Sequence, residues 1–165
     1  MTLTEKILFS KEECQSIVWD NTKNVNNHSY VSDRRYFSQQ IVYSEDTKWL
    51  FFKLKEFFED ETKLTINYIK NKIHFHKFVE GDWFGKHNDS IDDRMFAVGV
   101  LLNDDFEGGD FKLYNTNEYT LNKLIGNAYI FDSRINHEIT PILNGERYSL
   151  LWFLQKDNLI TKTII

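Results

Sequence analysis

The chain has 165 residues, a net charge of −5, a single cysteine and a 16% aromatic share. That length fits one domain, 1–165, and supplies a sizeable core. The absence of any Lys/Arg block argues against nucleic acid as the main partner, no apolar run approaches a membrane span, and Cys14 alone cannot form an internal disulfide, so the expectation is a soluble cytoplasmic protein with neither nucleic acid nor membrane as a partner.

The first third, residues 1–64, carries the helix signals and reads as a helical support region. Ser10 and Glu13 form a capping-box pattern ahead of KEECQSIVWDN, which predicts a short helix. Residues 21–33 are polar and Asn-rich and read as a surface loop, with a lid over a bound chain as the alternative. RRYFSQQIVY predicts a strand. In SEDTKWLFFKLKEFFEDETK, Trp49, Phe52, Leu54, Phe57 and Phe58 recur at helical spacing with Ser44 as the cap, so an amphipathic helix packed on a sheet is expected.

From residue 65 to 155 the pattern changes to short alternating or continuously apolar runs broken by Gly, Asn and Asp. Many short strands with frequent turns predict a sandwich or barrel. Helices first and strands second predict a mainly β (α+β) fold: a jelly-roll, cupin-like core with the N-terminal helices packed on one sheet.

Two histidine pairs stand at strand spacing: His87 with Asp89, and His74 with His76. Side chains two apart share one strand face, which suits a metal as well as ordinary alternation. HxD alone is a weak motif.

Three blocks in order sharpen it: FVEGDWFGKHND, RMFAVGVLLNDDFEGGDFKLY and GNAYIFDSRINHEITPILNGERYSLLWF. Together, over about residues 73–155, they resemble the core of the iron(II) and 2-oxoglutarate (2OG) dependent dioxygenases, in particular the prolyl 4-hydroxylase-like branch. The matching features are Gly81, His87-x-Asp89, a strand ending in Leu102-Asn103, the Glu107-Gly108-Gly109 hairpin, His137, and Arg147 ten residues beyond it. The resemblance implies a double-stranded β-helix, with His87, Asp89 and His137 binding Fe(II). It implies 2OG and dioxygen as co-substrates, and ascorbate is compatible with that chemistry. Two imidazoles and a carboxylate form the facial set that suits ferrous iron and leaves positions open.

Arg147 is expected to grip the far carboxylate of 2OG, because a guanidinium offers a planar fork and stays charged. Ser149 shares its strand face and could add a hydrogen bond. The family's two pocket tyrosines fall on Phe78 and Leu101 here, so the pocket is expected to lean on Arg147 and Ser149, with Tyr129 or His76 as candidate helpers. Phe84 matches an aromatic near the substrate, with Trp83 facing the other way. Arg94 is expected to contact substrate or to pair with Asp92 or Asp93. Phe153 stands where the family often has Trp, and Trp152 should face the other way. The expected reaction is C–H hydroxylation, with a prolyl residue of a peptide or protein as the leading substrate. A free amino acid or other small molecule is the alternative, and a non-catalytic cupin-like binding module is the rival of another class.

Overall fold

In the computed structural model, which describes residues 3–23 and 27–161, strand β1 (Leu3–Ile7) leads into helix α1 (Lys11–Thr22). Ser10 caps α1 as expected: its Oγ accepts from the Glu13 N–H at 3.0 Å, and the Glu13 carboxylate accepts from the Ser10 N–H at 2.9 Å. Next come β2 (Asn27–Val31), β3 (Arg34–Ile41), α2 (Lys48–Thr62) and β4 (Leu64–Ile66).

The Asn-rich stretch is therefore not simply a loop. Asn27–Val31 pairs antiparallel with β3, and residues 24–26 lie outside the described residues. Phe37 explains part of the order, because His28 stacks on its ring at 4.3 Å. Nor is the first third purely helical, since β1, β2 and β3 all join the main sheet.

Helix α2 starts after Thr47, not at Ser44. Ser44 instead closes the preceding turn, its carbonyl accepting from the Lys48 N–H at 2.8 Å. The buried face is Leu50, Phe51, Leu54, Phe57 and Phe58, while Trp49 and Phe52 are exposed. Aromatics run almost all round this helix, so spacing alone misplaced its buried stripe.

The second part runs β5 (Ile73–Phe78), β6 (Trp83–His87), β7 (Arg94–Leu101), β8 (Glu107–Gly108), β9 (Phe111–Tyr114) and β10 (Glu118–Thr120). It finishes with β11 (Asn127–Asp132), β12 (Asn136–Ile139), β13 (Ile142–Asn144), β14 (Arg147–Gln155) and β15 (Leu159–Thr161). Eleven of these strands form one antiparallel sheet in the order β1-β11-β7-β14-β5-β3-β6-β12-β9-β10, with β2 on β3. The sheet curls on itself at β3, which pairs with β5 through Phe37–Ile41 and with β6 through Arg34 and Arg35. This is the double-stranded β-helix.

The period of two sorts each strand between two cores. On β14, Leu150, Trp152 and Leu154 face outward into the cluster made with α1 and α2, which includes Cys14, Ile17, Phe51 and Phe58. Trp152 lies there as expected, its indole N–H donating to the Asn71 carbonyl at 2.8 Å. The intervening Leu151 and Phe153 pack instead on the inner cluster of Phe78, Leu101, Phe111, Tyr129 and Phe131. Among the described residues, no helix is long and apolar enough to cross a membrane.

Candidate active site

Strands β6 and β12 pair so that His137 lies directly opposite His87. Their ring centroids are 4.3 Å apart. Asp89 follows β6 by two residues, and its backbone N–H donates to the Ser133 carbonyl at 2.8 Å, which turns the chain back toward β12. One ligand atom from each of His87, Asp89 and His137 lies within 4.8 Å of the others. His137 Nε2 stands 3.0 Å from Asp89 Oδ2, and His87 Nε2 stands 3.5 Å from Oδ1. His74 and His76 share a strand face but join no such group among the described residues.

The surroundings fix both rings. Nδ1 of His87 lies 2.6 Å from the Gly85 carbonyl, and Nδ1 of His137 lies 2.9 Å from the Ile135 carbonyl. Carbonyls only accept, so each Nδ1 carries the proton and each Nε2 presents a lone pair. Phe84 stacks on His87 at 3.8 Å, and Phe131 and Phe111 flank His137 at 4.8 and 5.5 Å. Burial works against the ionised Asp89 carboxyl, but positive charge on His137 and His87, when they carry a second proton, outweighs it and holds the carboxyl well below its usual range.

A cavity of about 260 Å³ opens onto this cluster. Its wall includes Arg34, Tyr36, His74, His76, Phe84 and Arg94. Arg94 sits 3.8 Å over the Phe153 ring rather than paired with Asp92 or Asp93. Burial, then His74 and Arg147, push the His76 imidazole down to about 3, so it is neutral at ordinary pH. Arg34 and Tyr36 escaped the sequence reading. Their spacing of two was visible, but nothing local shows that β3 lies beside β6.

Ser149 and Tyr129 line the inner end of the cavity, and Arg147 stands immediately behind them, 2% exposed. Arg147 donates from Nη1 to Ser149 Oγ at 2.9 Å and from Nε to the Gly109 carbonyl at 3.1 Å. The expected hairpin at Glu107–Gly109 is not formed: Glu107 and Gly108 pair with Asn144 and Ile142 of β13, and Gly109, at φ +60°, turns the chain into β9 and supplies a carbonyl that holds the guanidinium. Among the described residues, no carboxylate forms an ion pair with Arg147, and Asp110 acts on it only from a distance, so a buried cation stands without an anion in contact. Phe78 is apolar beneath it, its ring 5.7 Å from the guanidinium carbon, and Leu101 is buried in the inner cluster.

Residues 73–155, half of the chain, match the 2OG-Fe(II) oxygenase superfamily. The chain belongs to that superfamily. Fe(II), 2OG and dioxygen are accordingly its cofactor and co-substrates. No curated protein sequence matches the chain.

Solved structures agree on the fold. A Pseudomonas putida prolyl-4-hydroxylase superposes with a TM-score of 0.77 at 18% identity, covering 93% of this chain and 92% of its own. A Trichoplax adhaerens prolyl hydroxylase in complex with a hypoxia inducible factor oxygen degradation domain peptide fragment gives 0.75 at 18% identity, covering 94% and 84%. The viral collagen prolyl hydroxylase of Paramecium Bursaria Chlorella virus-1 gives 0.73 at 15% identity, covering 93% and 95%.

The donors of this oxygenase fit ferrous iron. Two imidazole lone pairs and a carboxylate converge, and the buried Asp89 Oδ2 has no hydrogen-bond donor. Such a cluster of electron pairs is repulsive unless a cation lies among them, and an N,N,O set suits a borderline divalent metal. A larger groove of about 600 Å³, lined by Leu3, Glu5, Asn115 and Tyr119 among others, shares no wall with this cavity.

Proposed function

We propose that the protein hydroxylates a C–H bond of a prolyl residue in a peptide or protein, using Fe(II), 2OG and dioxygen. The observation that carries the reading is the cavity with His87, Asp89 and His137 in its wall and the buried Arg147, held by neutral groups, behind its inner end. In this reading His87, Asp89 and His137 hold the iron, and Arg147 with Ser149 anchors the far carboxylate of 2OG. When bound, the metal with 2OG and dioxygen supplies the oxidising power for oxygen insertion, 2OG leaving as succinate and carbon dioxide.

The chain's own residues orient and exclude. The Nδ1 contacts keep each ligand ring in one tautomer, and Phe84, Phe111 and Phe131 keep water from its faces. A guanidinium buried before ligand arrives is preorganised, so little reorganisation accompanies capture of a carboxylate. Tyr36, Phe84 and Ile91 at the cavity give a prolyl ring an apolar bed. The prolyl assignment draws on the peptide-bound Trichoplax adhaerens hydroxylase, whose fold this chain shares. The single cysteine, Cys14, is buried and free, which supports a cytoplasmic setting as part of the same proposal.

The test has two stages. Aerobic incubation with Fe(II) and 2OG should release succinate, and its absence across many candidate substrates would favour a non-catalytic binding module. A mass-spectrometric screen of peptides and free amino acids should then show one added oxygen on prolyl peptides. Gain on free amino acids alone would replace the prolyl assignment.

A further inference from the structure

Gly99 sits in the middle of β7, with Tyr129 of β11 as its partner on one side and Leu151 of β14 on the other. Glycine weakens a central strand, so its presence there calls for a reason. Its backbone is ordinary; among the described residues, the positive-φ glycines do not include it. The reason is space. A Cβ on Gly99 would lie 2.2 Å from Tyr129 Cζ and 2.5 Å from the Tyr129 hydroxyl oxygen. The phenol therefore lies flat across β7, over the bare Gly99 Cα, and points from β11 toward β14. There its hydroxyl meets the Arg147 guanidinium, and the side chain joins Ser149 in the inner wall of the cavity.

Ring packing alone would be served by phenylalanine, which this chain uses freely in the same cluster at Phe78, Phe111 and Phe131. The hydroxyl is what distinguishes this position. It belongs to a side chain that lines the cavity, whereas Phe78 and Leu101 stand in the inner cluster and offer no polar atom. Ser149 Oγ, already accepting from Arg147, keeps its own proton to donate.

We propose that Tyr129 is a co-substrate-binding residue, its hydroxyl donating to the far carboxylate of 2OG beside Arg147 and Ser149, and that residue 99 is glycine to let the phenol cross β7. The assignment rests on the reading of this cavity as a 2OG site. Burial holds the phenol above its ordinary range, so it stays protonated and able to donate.

The test is equilibrium binding rather than turnover. The full chain loaded with Mn(II) is titrated anaerobically with 2OG in a calorimeter. Tyr129→Phe keeps the ring, so it should melt as the wild type does yet bind 2OG about tenfold more weakly, the usual scale for one hydrogen bond to a charged group. Gly99→Ala should weaken binding comparably, because the new methyl displaces the phenol. Since that variant also strains the sheet, it is paired with Tyr129→Leu, whose shorter side chain should let Gly99→Ala be added without further loss of melting temperature. An unchanged affinity in Tyr129→Phe overturns the proposal. So does an equal loss for 2-oxobutyrate, which lacks the second carboxylate, because that would mark a packing effect. If the wild type itself fails to bind 2OG, the site reading falls and takes this assignment with it. If the wild type binds and Tyr129→Phe binds equally well, only the role of Tyr129 falls.

Discussion

The two faces of β14 are built from one run of nine residues and do opposite work. Outward, Leu150, Trp152 and Leu154 meet α1 and α2 in a cluster with no charged member. Inward, Arg147 and Ser149 bring a cation and a hydroxyl into the interior, where neither is cheap to bury. The outer face contributes stability through apolar area and packing. The inner face gives up some of that to hold a buried cation behind the cavity and a hydroxyl in its wall, the anion trap of the proposed function. A period of two keeps the roles apart, so a substitution on one face should leave the other's property intact.

The largest test of that separation is Asp89→Ala. Mn(II) binding by calorimetry and succinate release should both fall to background while the protein remains folded. A collapse in melting temperature instead would show that the inner cluster is also structural. Trp152→Ala should do the reverse. A fully buried indole is lost from the outer face, and urea denaturation should show about 3–5 kcal/mol of destabilisation with Mn(II) affinity unchanged in the folded protein. Altered metal affinity in that variant would mean that the faces communicate.

His76 gives a smaller, graded test on the inner face. Its folded pKa of about 3 lies below the ordinary 6.5, so the neutral ring is favoured in the fold. The stability it brings is complete above about 6.5 and is lost as pH falls toward 3. Between about pH 7 and pH 5 the loss should approach about 2 kcal/mol in urea titrations, and His76→Phe should remove it. An equally steep acid dependence in that variant would assign the effect elsewhere.

Much of the candidate site could be read from sequence because the residues that the fold brings together are locally spaced. His87 and Asp89 are two apart, Arg147 and Ser149 likewise, and the turn at Gly108–Gly109 needs its glycines, although the expected hairpin there gives way to pairing with β13. Ser10 and Glu13 announced α1 for the same reason. What stayed hidden depends on partners distant in sequence. β1 was missed because LTEKI becomes a strand only against β11. Asn27–Val31 read as a loop because composition outweighed its pairing with β3. Tyr129 was visible as an aromatic, but its route across the sheet depends on a gap thirty residues earlier, at Gly99. The buried side of α2 was blurred by aromatics at neighbouring positions, and only the sheet it covers selects among them.

Strand β1 bears on handling of the protein as well as on its fold. It closes the outer border of β11, from Leu3 against Phe131 to Ile7 against Asn127. Cleaving off the first seven residues would bare a row of unpaired amides on an apolar ribbon, an invitation to strand-by-strand self-association. The penalty would appear first as precipitation during purification, before any change in turnover.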